Sequence, residues 1–87
     1  MSDWSIAMLH RYNLNALQAK CMDLAADGKS RKEIALMLGI DSAEKVTERL
    51  TRVARKMGLD PIRGQYGLAF ARARAIWRTE QLTRGKK

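Results

Sequence analysis

Lys29, Arg31 and Lys32 crowd into four residues, and Lys45, Arg49, Arg52 and Arg55 follow at steps of four, three and three. Ammonium and guanidinium groups do no bond-making chemistry here; they neutralise anions. The whole chain agrees, with 17 Lys and Arg against 9 Asp and Glu, a net charge of +8 and a pI near 10.3. That balance is the footprint of a polyanion binder, with nucleic acid as first candidate, an acidic protein surface second and an anionic membrane third. Charge carried only for solubility is the bland alternative.

Other reactive side chains are few. His10 is the only histidine and no Cys-x-x-Cys occurs, so neither a metal nor a cofactor is expected. Cys21 falls in the series Leu17, Cys21, Leu24, which makes it a core side chain in a reducing cytoplasm. No Gly-rich phosphate loop, no Gly-x-Ser-x-Gly and no carboxylate pair beside a general acid is present, which excludes enzyme chemistry and a small-molecule substrate. The opening residues, Met1-Ser2-Asp3-Trp4, lack a basic start followed by an apolar run, and no window is long enough to span a bilayer. A membrane-surface role is further disfavoured because the basic residues spread along several helices.

The elements that must position the cations are helices. Low aromatic content, one proline and no period-two Val/Ile/Thr runs predict an all-α chain, and its 87 residues form a single domain. At its centre is the stretch 30–59, which reads as a helix-turn-helix. Ser30 stands three residues before Glu33, a capping box that starts a short helix with Ile34, Ala35, Met37 and Leu38 on its apolar face, and Gly39 stops it. After the turn Gly39-Ile40-Asp41-Ser42, Val46, Leu50, Val53 and Met57 form one stripe of a second helix, spanning 43–57. Lys45, Thr47, Glu48, Arg49, Thr51, Arg52, Arg55 and Lys56 lie opposite and beside that stripe. A helix with one face buried and a cationic outer face is the element that enters a DNA major groove. Lys29, Ser30, Arg31 and Lys32 sit at the start of the preceding helix, where backbone donors can meet a phosphate or simply a solvated turn.

Around this core the chain predicts three further helices. Residues 4–12 place Trp4, Met8 and Tyr12 at four-residue steps after Ser2/Asp3, as an extension (1–13) that covers the core or docks a partner. Residues 14–27 carry Leu14, Leu17, Cys21, Leu24 and Ala25 on one face, capped by Asn13 or Asn15 and ended by Gly28. Asp60-Pro61-Ile62-Arg63-Gly64 is a loop, and a last helix over 65–83 aligns Tyr66, Phe70, Ala73 and Trp77, with Ala69 and Ile76 beside them. That stripe either closes the core or faces a second copy, and Tyr66, Phe70, Trp77 and Trp4 are the candidate dimer or partner contacts. Arg72, Arg74 and Arg78 lie off it, and residues 84–87 form a short basic tail.

From Leu14 to Leu59, about half the chain, the sequence resembles the LuxR-type helix-turn-helix, the DNA-binding module of many bacterial response regulators and quorum-sensing receptors. The matching residues are Leu14, Gln18, Gly28-Lys29-Ser30-Arg31-Lys32-Glu33-Ile34-Ala35, Leu38-Gly39-Ile40, Val46, Leu50, Val53 and Lys56-Met57-Gly58-Leu59. The resemblance implies a four-helix module, here with an extra short N-terminal helix, whose third helix enters the major groove and whose fourth often forms the dimer contact. It implies Thr47, Glu48 and Thr51 as base readers, with Lys45, Arg49, Arg52 and Arg55 on phosphates or the groove edge. Three departures stand out: a turn between Ile40 and Val46 one residue longer than the usual pattern, an acidic Glu48, and a longer segment after Leu59. Glu48 either accepts from cytosine N4 or pairs with Arg52.

These readings lead to an expectation of a stand-alone bacterial or phage transcription regulator in the cytoplasm, at the nucleoid, binding double-stranded DNA as a homodimer. With 13 residues ahead of Leu14, no receiver or sensing domain is expected, so control would come from abundance, dimerisation or another protein such as RNA polymerase. Replacing Arg52 by Ala is expected to weaken binding to all sequences. Two alternatives are an interaction protein that sequesters or bridges another regulator, separable by truncating residues 1–12, and a DNA-recognition subunit of a phage packaging ring.

Overall fold

Ser2, Asn15, Ser30 and Ser42 each stand one residue ahead of a helix and accept a backbone N–H from its first turn, which fixes where the first four helices begin. The computed structural model describes residues 1–61 and 64–84. It contains α1 (Asp3–Arg11), α2 (Ala16–Ala26), α3 (Arg31–Leu38), α4 (Ala43–Lys56) and α5 (Tyr66–Arg84), with no strand among the described residues. The all-α expectation therefore holds for them. Ile62 and Arg63 of the expected loop, and Gly85, Lys86 and Lys87 of the expected tail, lie outside the described residues.

α2 is the hub, packed against each of the other four helices. A helix surrounded in this way buries more than one stripe. Ala19, Met22 and Ala26 accordingly join Cys21 and Ala25 in the core, while Leu17 and Leu24 are half-buried. The helix starts two residues later than expected. Asn13 takes a left-handed φ of 56°, and Asn15 forms the cap, its Oδ1 accepting the Gln18 N–H at 2.8 Å while Gln18 Oε1 accepts the Asn15 N–H at 3.0 Å. Leu14 is thus buried just ahead of the helix, not within it.

α1 runs one residue earlier than expected at each end, with Ser2 as its cap and Tyr12 closing it. Its buried side chains are Trp4, Ser5 and Met8, so it covers the core.

The stretch 30–59 folds as two helices packed on each other through residues 39–42. Ser30 and Glu33 close the expected capping box at 3.1 and 3.2 Å, and Gly39 ends α3 at φ 65°, a conformation that favours glycine. Val46, Leu50 and Val53 are buried, and Met57 is half-buried at the end of α4. Met37 departs from its expected place on the inner face. An eight-residue helix has room for one buried stripe, and Ile34, Ala35 and Leu38 occupy it, leaving Met37 57% and Leu36 85% exposed.

α5 lies along α2, and Gly67 permits the approach, because a Cβ there would stand 2.8 Å from the Ala25 carbonyl oxygen. Phe70 is fully buried, Tyr66, Ala73 and Trp77 are half-buried, and every residue over 78–84 is exposed.

Candidate nucleic-acid interface

With Val46, Leu50 and Val53 turned to the core, helical geometry puts Glu44, Lys45, Glu48, Arg52 and Arg55 on the opposite side of α4, and all five are exposed. Lys45 is partly engaged. Its Nζ lies 2.9 Å from Asp41 Oδ2, a pairing that raises the Lys45 pKa and lowers that of Asp41. Among the described residues, Glu48, Arg52 and Arg55 make no ion pair or side-chain hydrogen bond, so the pair open to Glu48 and Arg52 at i,i+4 is not made. Arg49 is half-buried on the flank; it lines a shallow cleft with Lys45, Glu48 and Arg52, and its Nε is buried without an acceptor. Two carboxylates thus interrupt a surface that is otherwise cationic.

Thr47 and Thr51, expected to read bases, occupy the flank of α4 and are half-buried. Thr47 Oγ1 donates to the Ala43 carbonyl at 3.2 Å and accepts from Arg31 Nη1 at 2.9 Å. Thr51 Oγ1 donates to the Thr47 carbonyl at 2.8 Å and lies 2.7 Å from the Tyr66 hydroxyl. A hydroxyl has one proton, and in either sense of the Thr51–Tyr66 bond that of Thr51 is used within the fold, so neither threonine has a proton left to give. Their hydroxyls join α4 to α3 and α5, beside the buried stripe.

Lys29, Ser30, Arg31 and Lys32 are exposed at the start of α3, and the first three line a groove with Gln65 and Tyr66. Ser30 is taken up by the cap: its oxygen accepts the Glu33 N–H and its own N–H donates to Glu33 Oε1. Those bonds hold the Glu33 carboxyl below its ordinary pKa, and the Ser30 N–H expected to meet a phosphate is already filled. Lys29 and Lys32 keep free ammonium groups among the described residues.

The aromatic candidates for a dimer or partner contact divide. Trp4 is 1% and Phe70 0% exposed, so both belong to this chain's own core and offer no surface; that expectation is corrected. The cause is that the stripe of α5 faces α2 and α1. Tyr66 is half-buried and tied to Thr51, whereas Trp77 lines an open groove with Tyr12, Met57, Leu59, Ile76 and Ala73.

Sequence reasoning missed Arg74. Its guanidinium donates to Asp27 Oδ1 at 2.6 Å and to the Ala26 carbonyl at 3.1 Å, lies 3.9 Å from Asp23 Oδ1, and sits over the Trp4 ring at 5.9 Å. Asp23 also accepts the Ser2 N–H at 3.0 Å and the Ser2 hydroxyl at 2.9 Å. One cation and one carboxylate therefore fasten α1 and α5 to the end of α2. The signal was Arg74's place four residues after Phe70, at the border of a buried stripe, where a cation needs an acid.

Among the described residues no three His, Cys, Asp or Glu side chains gather as a metal site would require, and no helix is long and apolar enough to cross a membrane. Burial raises the Cys21 thiol pKa, which keeps it protonated and unreactive. Compared with family models, with curated proteins and with solved structures, the chain matched none.

Proposed function

We propose that this chain is a DNA-binding transcription regulator of LuxR type, with α3 and α4 as its helix-turn-helix and α4 as the helix that enters the major groove. The observation that carries the reading is the outer face of α4, where Arg52 and Arg55 stand exposed without an acid partner among the described residues. Arg49 flanks that face, half-buried in the cleft it shares with Lys45, Glu48 and Arg52. Lys29 and Lys32 extend the cationic surface to the start of α3. As a homodimer, two such helices about 34 Å apart would read successive major grooves.

The test is a titration of the purified protein against random duplex DNA at several salt concentrations, with a light-scattering mass on the same sample. Binding whose log affinity falls steeply with log salt, from a dimer, supports the regulator. A ring-sized mass would favour a packaging subunit, and no binding at low salt would exclude both.

A second reading, an interaction protein, draws on exposed Leu36 and on the groove beside Trp77. Truncating residues 1–12 cannot separate the two, because it would strip Trp4 and Met8 from the core. Exchanging exposed Ile76 for Glu, at the edge of that groove, leaves the core intact and should abolish function without loss of DNA binding only on the second reading.

A further inference from the structure

We infer that Glu48 and Arg52, not Thr47 and Thr51, read the base pairs, and that they select cytosine and guanine respectively. The inference rests on the DNA-binding reading above. Its basis is the division of labour on α4: the threonine hydroxyls are engaged within the fold, by backbone carbonyls, Arg31 and Tyr66, while Glu48 and Arg52 are exposed, unpaired among the described residues and on the side opposite the core. Arg55 shares that side but lies in the last turn, farther than either from the end of a recognition helix that contacts bases.

A carboxylate on a DNA-facing surface is repelled by phosphates and gains only where a base offers a proton. In the major groove the donors are cytosine N4 and adenine N6. Adenine places the N7 acceptor beside N6, so the second carboxylate oxygen meets a lone pair there, which leaves cytosine as the favoured partner. Arg52 presents a planar fork that matches guanine O6 and N7 together. Four residues of helix advance about 6 Å, so the two side chains reach positions about two base pairs apart. The expected operator half-site therefore carries two G·C pairs at that separation, and Tyr66 and Arg31 act only through the threonines they hold.

Selection of bound duplexes from a random pool tests this with Glu48→Gln, Arg52→Ala, Thr51→Val and Tyr66→Phe, each checked for folding by thermal unfolding. Glu48→Gln should lose the preference for cytosine at one position, and Arg52→Ala the preference for guanine about two pairs away, each by about tenfold or more. Thr51→Val and Tyr66→Phe should select the wild-type consensus. A consensus altered by Thr51→Val and kept by Glu48→Gln and Arg52→Ala would overturn the inference while leaving the DNA reading in place. Failure of the wild type to bind any duplex at low salt would overturn both.

Discussion

Arg74 and Glu33 show how single side chains set this fold. Arg74 and Asp23 are both largely shielded, with 15% side-chain exposure each, and the guanidinium answers two carboxylates and a helix-end carbonyl at once. Removing it leaves Asp23 without its cation and α2 without its C-terminal donor, so Arg74→Ala should cost about 2 kcal/mol. For a domain of this size that lowers Tm by about 10 °C in a thermal melt. Glu33 acts through pH. Its folded pKa lies below its unfolded value, so its stabilisation is present above the unfolded value and is lost as pH falls through the folded one. Glu33→Gln should flatten the decline of Tm across that acid window, and an equally steep decline would place the acid sensitivity in other carboxyls. The capping box was legible because it depends on two residues three apart, whereas the Arg74 contacts join residues 47 and 48 apart and needed the fold to appear.

At the scale of elements, periodicity predicted where helices lie and which face of each is apolar, but not what covers that face. The stripe Val46, Leu50, Val53 reads correctly because it is the face of α4 that meets the core, and Leu50→Ala should cost about 2 to 5 kcal/mol in denaturant unfolding. On α5 the stripe Tyr66, Phe70, Ala73, Trp77 was open to either a core or a second copy; burial assigns Phe70 to the core, while half-buried Trp77 still lines an open groove. The outward side of α5 offers one seam for a dimer, where Leu68 and Leu82 are 60% and 69% exposed and Ala75 lies between them at heptad spacing. Leu68→Glu with Leu82→Glu should convert such a dimer to a monomer by light scattering with Tm nearly unchanged. A persisting dimer would move the contact to another face. The flank of α4 was not legible, because Thr47 and Thr51 look free in sequence and only the approach of Arg31 and Tyr66 engages them.

On the scale of the whole molecule, the charge of +8 is not evenly used. Arg74 is spent on holding helices together and Lys45 pairs with Asp41, while Arg49, Arg52, Arg55, Lys29 and Lys32 remain on one continuous pair of helices, α3 and α4, and the turn before them. Composition alone led to the expectation of an anionic partner, and the fold shows which cations stand exposed to meet one. The measurement that tests this most directly is the salt dependence of duplex binding for the wild type beside the double variant Arg49→Ala/Arg55→Ala. If this face meets the phosphates, the slope of log affinity against log salt should fall by about 2, close to 0.9 for each cation removed. An unchanged slope would show that DNA, if bound, is bound elsewhere, and would contradict the account.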